Sequence, residues 1–299
     1  MSRRTTVAFI TCASIPDGDP DDLAVIPFLA DRRIDVEVVS WDDPDVEWIG
    51  YDLAVLRSTW DYPARRTEFV TWARTVPRLA NPAAVIEWNT DKRYQRELAD
   101  AGIPVIPTTW IEPGRDGVQI ADECAPARQF VIKPAIGAGS IDSGRYDASD
   151  AEQVARAGEH VTRLLAAGQV VMVQPYLDGV EECGETTLMF IGGRFSHAVR
   201  KAAILDGPAA PVDGLFVTES ISPVVATDAE RSLAERALEL VPHDGDLLYA
   251  RVDLLPGPDD APVLLEVELT EPSLFLDQDE SAPARFADAI AAAAARVSA

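Results

Sequence analysis

The stretch that decides the fold runs Leu248-Tyr-Ala-Arg-Val-Asp-Leu-Leu255 and continues as Leu264-Leu-Glu-Val-Glu-Leu269. Both runs are rich in Leu and Val, which predicts two β-strands. The segment 256–262 between them holds three prolines, a glycine and two aspartates. Because these residues favour turns, the sequence predicts a β-hairpin.

Charged residues alternate along this predicted hairpin. Side chains two apart share one face of a strand, so Arg251 lies beside Asp253, and Glu266 lies beside Glu268. Burying such charges without partners is costly, and a hard divalent cation such as Mg²⁺ relieves the repulsion between carboxylates while bridging to phosphates. The alternative interpretation is an amphipathic hairpin whose charged face is solvated.

The lysines form a second pattern, because only three of the 26 basic residues are lysine: Lys92, Lys133 and Lys201. A compact ammonium is a common phosphate ligand, whereas the other basic residues of this chain are all arginines. Lys133 ends a predicted strand and precedes Pro134-Ala-Ile-Gly-Ala-Gly-Ser140, a loop able to aim N–H groups at an anion. Lys92 lies near the start of a helix predicted over 91–102. Chance in a GC-biased genome remains the alternative.

The N-terminal part predicts a small open α/β domain with a parallel core. Its strands are predicted at 5–12, 34–40 and 52–57, and a helix capped by Asp19 is predicted to run to about residue 32. Ligands bind beyond the carboxyl ends of such strands. There, Arg57 could bind a carboxylate and Asp61 an ammonium, with Ser58 between them. The alternative is a helix-capping loop.

Composition excludes several classes of function. The net charge of −24 and the pI of about 4.4 disfavour nucleic acid and anionic membrane as partners. No apolar run reaches the roughly 20 residues that span a bilayer. Cys12, Cys124 and Cys183 are odd in number and widely spaced, which predicts no disulfide framework and fits a reducing cytoplasm.

Five elements in order resemble the ATP-grasp superfamily of carboxylate–amine ligases. They are Lys92 at a helix start, Lys133 with its small-residue loop, a strand ending in Gln174-Pro-Tyr-Leu177, Glu185 opening the next strand, and the charged hairpin. The resemblance implies an α/β and α+β architecture. It consists of an N-terminal α/β substrate domain (1–88), a central sub-domain (89–175) and a C-terminal sub-domain (176–299), the last two gripping ATP.

The resemblance also implies roles for individual residues. Asp253, Glu266 and Glu268 would bind two Mg²⁺ ions, and Arg251 would be catalytic by stabilising the anionic transition state. The implied ATP contacts are Lys92, Lys133 and Lys201, the loop residues Gly137, Gly139 and Ser140, the adenine-binding residues Gln174, Tyr176 and Leu177, and the ribose-binding Glu185. The predicted substrate residues are Arg57, Ser58, Asp61 and Ser273.

The chain departs from the family pattern at two places. Many members have Asn at the position of Glu268, and the usual Pro-Gly shortly afterwards is replaced by Glu271-Pro-Ser273. The extra negative charge would tighten metal binding or shift the preference from Mg²⁺ toward Mn²⁺.

A narrower resemblance, based on Leu56-Arg-Ser-Thr-Trp-Asp-Tyr62 and the short acidic chain, is to the O-ureido-D-serine cyclo-ligases. These enzymes close the D-cycloserine ring within one small amino-acid substrate and release carbon dioxide and ammonia. The alternatives are an intermolecular amino-acid or peptide ligase, a nucleotide-binding regulatory protein without turnover, and an acidic α/β protein without a nucleotide site. A homodimer is common among members of the family.

Overall fold

The computed structural model describes residues 3–114, 127–203, 205, 207–209, 220–245 and 247–297. Cys124 and most of the 203–222 loop therefore lie outside the described residues. The strands are β1 (Thr5–Thr11), β2 (Ile34–Ser40), β3 (Leu53–Ser58), β4 (Leu79–Ala80), β5 (Thr109–Ile111), β6 (Gln129–Pro134), β7 (Gly144–Asp147), β8 (Val171–Pro175), β9 (Glu185–Ile191), β10 (Arg194–Lys201), β11 (Ile221–Val224), β12 (Tyr249–Pro256) and β13 (Pro262–Glu268).

The helices of the described residues connect these strands. They are α1 (Pro20–Leu23), α2 (Ile26–Asp31), α3 (Arg66–Ala73), α4 (Ala83–Asn89), α5 (Tyr94–Asp100), α6 (Ala151–Ala166), α7 (Gly179–Cys183), α8 (Asp228–Leu238) and α9 (Ala282–Val297). None of them is long and apolar enough to cross a membrane.

Three sheets organise the molecule. The N-terminal sheet has the order β2-β1-β3-β4 with every pairing parallel, as the sequence predicts. The central sheet has the order β5-β8-β6-β7, and the C-terminal sheet has the order β11-β10-β9-β12-β13. The expected α/β and α+β architecture is confirmed, whereas the exact domain boundaries stay a prediction.

The N-terminal sheet is covered on both faces, which explains its continuous apolar strands. One face packs on α9 through Phe286 and Ile290, together with residues of the C-terminal sheet. The other face packs on aromatic side chains that include Trp41 and Phe69. The C-terminal helix therefore joins the first and third sheets.

Two predicted helices differ from the structure. The helix predicted from residue 20 to 32 is divided into α1 and α2, because Pro27 has no N–H for the helical ladder and the Val25 N–H turns back to Asp22. The helix predicted over 91–102 is limited to α5, and α4, which precedes it, was missed. Asp91 instead accepts the Arg93 N–H in the turn between them.

Helices α4 and α5 pack on the C-terminal sheet rather than on the central one. Asn89 bonds the backbone of Val267 on β13 at 2.6 Å, and Gln95 bonds that of Leu265 at 2.8 Å. These bonds fix the turn between α4 and α5, which carries Lys92, against the charged hairpin.

Candidate active site

A cavity of about 580 Å³ lies where elements of all three sheets meet. Its walls come from α1, the loop after β3, the loop after β6, the end of β8, and strands β9, β10, β12 and β13. The predicted site residues that line it are Lys92, Lys133, Gly137, Gly139, Ser140, Gln174, Tyr176, Leu177, Glu185, Lys201, Arg251, Asp253, Glu266, Glu268 and Ser273.

The charged hairpin has the register that the sequence predicts. Arg251 pairs across the ladder with Glu268, and Asp253 pairs with Glu266. The Arg251 Nη2 atom donates to Asp253 Oδ2 at 2.8 Å and also to a Glu268 carboxylate oxygen. A bulge after Asp253 disturbs the ladder at this point, as bulges near functional sites often do.

Crowded carboxylates shift one another's protonation. Burial raises the pKa of Glu268 to about 8, and the carboxylates of Asp253 and Glu266 add to the shift against the opposing effect of Arg251. Burial also opposes ionisation of Asp253, but Arg251 and Lys201 outweigh it and hold the pKa of Asp253 well below its ordinary value. The charged face of the hairpin thus has three carboxylates and one guanidinium, so its own cation does not neutralise its negative charge.

The carboxylates of the hairpin have the donor chemistry of a magnesium site. Asp253, Glu266 and Glu268 offer hard oxygen ligands, and all three line the cavity. Within the described residues, no three of the His, Cys, Asp and Glu side chains form a preformed metal cluster. Arg251 and Lys92 contact these carboxylates instead, so a bound cation would replace part of this pairing.

The three lysines meet in the cavity although they lie on separate elements. Lys92 Nζ contacts Glu266 at 2.9 Å and donates to the Gly137 carbonyl at 2.7 Å. Lys201 Nζ lies 2.5 Å from Glu185 Oε1 and 3.5 Å from Asp253. Lys92 therefore joins the loop after β6 to the hairpin, and Lys201 joins β10 to β9 and β12.

Lys133 differs from the other two lysines. Among the described residues, no carboxylate lies within 4.0 Å of its ammonium and no acceptor bonds it. Burial lowers the pKa of Lys133 to about 8, an effect that the neighbouring Lys92 strengthens and Glu266 opposes. The Lys133 ammonium is thus available to an anionic ligand in the cavity.

An apolar slot occupies the part of the cavity beside the end of β8. Ile106, Val180 and Leu255 form its buried cluster, against which Tyr176 and Leu177 pack. A flat apolar slot beside a strand-end backbone suits a planar heteroaromatic ring. Glu185 lies at the start of β9 nearby, where burial raises its pKa to about 7 against the pull of Lys201.

The loop between β6 and β7 lies over the cavity. Gly139, Ser140 and Asp142 all have positive φ, between 56° and 60°. Gly139 is the exposed member of the loop, and Ser140 is half-buried. This left-handed backbone turns the loop toward the lysines.

Three predicted substrate residues do not line the cavity. Arg57 is 2% exposed, its Nε donates to Asp22 at 2.6 Å, and its Nη2 donates to the Pro272 carbonyl at 2.9 Å. Ser58 bonds Thr11, and Asp61 accepts the Trp41 indole N–H. These bonds tie the three residues to other elements, while the Arg57 Nη1 atom has no hydrogen-bond partner among the described residues. Their substrate roles stay a prediction.

Other cavity residues were not assigned from the sequence. Trp60 and Tyr62 reach the cavity from the loop after β3, and Glu271 and Phe275 reach it from the segment after β13. Burial raises the pKa of Glu271 to about 7. The replacement of Pro-Gly by Glu271-Pro-Ser273 was the available signal for Glu271.

Comparisons with known proteins agree along almost the whole chain. The family described as D-cycloserine synthetase DcsG, N-terminal domain, matches residues 7–81. The cycloserine biosynthesis protein DcsG of Streptomyces lavendulae is 40% identical over 289 residues, which cover 91% of this chain and 94% of that protein.

Solved structures show the same relationship. The crystal structure of D-cycloserine synthetase DcsG has a TM-score of 0.86 at 36% identity and covers 97% of this chain and 99% of that one. The ATP-grasp ligase PsnB, solved with a phosphomimetic variant of its minimal precursor, Mg and ADP, has a TM-score of 0.63 at 20% identity over 98% of this chain and 100% of that one. The second likeness shows the fold alone.

Proposed function

The chain belongs to the family of the cycloserine biosynthesis protein DcsG and is an ATP-grasp ligase, and from this premise we propose that it converts O-ureido-D-serine to D-cycloserine in an ADP-forming reaction. The observation that carries the proposal is the cavity. It combines an apolar slot, three lysines and a carboxylate-rich hairpin in one enclosed space.

ATP would bind with its adenine in the apolar slot and its phosphates toward the lysines. The backbone of Gln174, Tyr176 and Leu177 would contact the adenine, and Glu185 would hold the ribose. Lys92, Lys133 and Lys201 would contact the phosphates, under the loop that contains Gly137, Gly139 and Ser140. The ammonium of Lys133 supports this arrangement most directly, because the described residues leave it without an acceptor.

Asp253, Glu266 and Glu268 would hold Mg²⁺ or Mn²⁺ at the phosphates. The metal supplies charge neutralisation on the transferring phosphoryl group and orients it for attack. The three carboxylates that the hairpin brings together, against its one guanidinium, support this assignment. Release of Lys92 from Glu266 would accompany loading of the site and would free that ammonium for a phosphate oxygen.

The proposed reaction has three steps. The substrate carboxylate attacks the γ-phosphorus, the bond to the bridging oxygen of ADP breaks, and an acyl phosphate forms. The ureido nitrogen bound to oxygen then attacks the acyl carbon and displaces phosphate. Hydrolysis of the carbamoyl group consumes one water and releases carbon dioxide and ammonia. Nucleophile and acyl phosphate share one molecule, which is a large proximity advantage.

Arg251 would stabilise the negative charge of both transition states. Its guanidinium is 10% exposed and lies at the cavity wall between Asp253 and Glu268. A fixed cation in a site with little water is worth more than the same cation in solvent. The hairpin holds this cation in place, because both of its partners lie on paired strands.

The test is ADP release by the purified protein with Mg-ATP, with and without O-ureido-D-serine, with mass detection of the products. ADP and cycloserine together, without an added amine, are expected. ADP release that requires other amino acids and an added amine would make the protein an intermolecular ligase. ATP binding without ADP under any condition would favour a regulatory protein.

A further inference from the structure

One part of the cavity wall is built by two segments distant in sequence. Asp19, Asp21, Trp60 and Tyr62 come from the N-terminal α/β part, and Glu271, Ser273 and Phe275 come from the chain after β13. We call residues 271–276 the substrate strap. None of the residues assigned to ATP or metal binding belongs to this part of the wall.

Side chains of other elements hold the backbone of the substrate strap. Asp21 accepts the Leu276 N–H at 2.6 Å and the Leu274 N–H at 3.2 Å through its two carboxylate oxygens. The Trp60 indole donates to the Glu271 carbonyl at 3.0 Å. With the bond from Arg57 to the Pro272 carbonyl, these contacts fix the position from which the Glu271 side chain enters the cavity.

Glu271 is a buried carboxylate that no cationic side chain of the described residues contacts. The residue is 8% exposed and lines the cavity, as does the neighbouring Tyr62, whose hydroxyl interacts with the Glu271 carboxylate. Among the described residues, no Lys, Arg or His nitrogen lies within 4.0 Å of its oxygens. By contrast, Glu185, Asp253, Glu266 and Glu268 each contact a cation.

A buried carboxylate without a cation is costly unless a ligand provides the positive charge. From this juxtaposition we propose that Glu271, positioned by the bonds that hold the substrate strap, binds the α-ammonium of the amino-acid substrate and makes the enzyme specific for a substrate that carries one. The inference rests on the proposed function, since it concerns the substrate of the same cavity.

The other acids of this wall are unsuited to the task. Both oxygens of Asp21 accept backbone N–H groups of the substrate strap. Asp19 caps α1 by accepting the Asp21 N–H. Asp277 is exposed to solvent, where water screens its charge. Glu271 is therefore the buried acid of this wall that can bind an ammonium.

The experiment compares O-ureido-D-serine with its analogue in which hydrogen replaces the α-ammonium, using the wild type and Glu271→Gln. Charged hydrogen bonds in buried sites predict that the wild type prefers the ammonium-bearing substrate in kcat/KM by about 10- to 100-fold. In Glu271→Gln, that preference is expected to fall to about threefold or less. The KM for ATP is expected to stay within about twofold, which shows that the variant is folded.

Two controls separate this role from others. Glu280→Gln removes an exposed acid a few residues along the same chain segment and should leave the preference unchanged. A Mg²⁺ titration should show no greater metal requirement in Glu271→Gln than in the wild type, whereas Glu268→Gln should show one.

Three results would overturn the proposal. They are equal use of both substrates by the wild type, equal losses on both substrates in Glu271→Gln, and an increased metal requirement in that variant. If the wild type ligates a different amino acid, the proposed function fails, and the same comparison with that amino acid and its deaminated form still decides the role of Glu271.

Discussion

Lys133 combines three properties at the residue scale: burial, a position at the end of β6, and an ammonium that no described residue neutralises. Burial disfavours the charged form and lowers the pKa of Lys133 to about 8. An ATP phosphate would supply the missing charge. Because burial lowers the pKa of Lys133, the protonation of this ammonium also becomes sensitive to pH in the alkaline range.

We expect kcat/KM for ATP to fall as pH rises through about 8, because the free enzyme then loses the Lys133 proton and the charge that attracts phosphate. The measurement is made at saturating Mg²⁺. In Lys133→Arg the fall is expected to move to higher pH, since a guanidinium stays charged. An unchanged profile in that variant would assign the fall to another group.

Removal of one hairpin carboxylate tests the metal assignment. Glu266→Gln and Asp253→Asn are each expected to lower ADP release at saturating Mg²⁺ by about 100-fold or more, because transition-state charge loses its counter-ion. Glu235→Gln changes a half-exposed acid of α8 and serves as the control. Substantial turnover in both hairpin variants would contradict the assignment.

At the scale of elements, β9 begins with a backbone conformation that only glycine adopts readily. Gly184 has φ +69° and ψ −174°, and a Cβ there would lie 2.5 Å from the Lys201 carbonyl oxygen. The next residue, Glu185, is paired across the ladder with Lys201. This close approach of two strands sets the ion pair at the cavity wall.

We expect Gly184→Ala to destabilise the protein by about 1–3 kcal/mol, because both the backbone conformation and the contact with Lys201 are strained. The KM for ATP should rise as well, since Lys201 and Glu185 are displaced together. Urea unfolding and steady-state kinetics check both effects. Gly50→Ala is the matched control, because a Cβ at that position meets no atom within 4 Å.

A buried ion pair with Asp22 of α1 holds Arg57 of β3, and Arg57 in turn bonds the Pro272 carbonyl of the substrate strap. Arg57 and Asp22 are 2% and 5% exposed in their side chains, and Arg57 lies over the rings of Tyr249 and Phe286. Loss of one partner leaves the other charge buried and unpaired. The pair thus orders the segment that carries Glu271.

Arg57→Ala is expected to lower the free energy of unfolding by about 3–5 kcal/mol, measured by chemical denaturation. Arg74→Ala, which breaks an exposed pair with Glu87, should cost at most about 1 kcal/mol. If Arg57→Ala keeps its stability and raises only the KM of the amino-acid substrate, the original substrate-binding prediction for Arg57 is supported.

On the scale of the whole molecule, the cavity exists only because three sheets converge. Their elements contribute the lysines, the carboxylates, the apolar slot and the substrate strap from separate parts of the chain. A ligand that bridges them stabilises the folded state by an amount that grows with the logarithm of its concentration relative to its dissociation constant.

Mg-ATP at about 100 times its dissociation constant is expected to add about 2.7 kcal/mol to stability and to raise Tm by several degrees. Differential scanning calorimetry measures this shift. EDTA and the substitution Lys133→Met should each reduce it, because the metal or the phosphate contact is lost. An equal shift in the presence of EDTA would show that nucleotide binding does not depend on the carboxylates.

The sequence by itself determined the features that depend only on residues close together in the chain. Alternation within 248–269 was sufficient to predict the hairpin and the shared face of Arg251 and Asp253, since side-chain direction on a strand depends only on neighbouring residues. The scarcity of lysine pointed to three positions that the structure brings to one cavity. The resemblance of these ordered elements supplied the fold and the reaction class.

Only the tertiary structure decided which polar groups remain available. Arg57 and Asp61 have the chemistry of a substrate clamp, yet they bond Asp22, Pro272 and Trp41 and do not line the cavity. In the sequence, Glu271 was merely a departure from a family pattern, and packing of the substrate strap made it a buried carboxylate with no cationic side chain within 4.0 Å among the described residues. Availability depends on long-range neighbours, which no local pattern specifies.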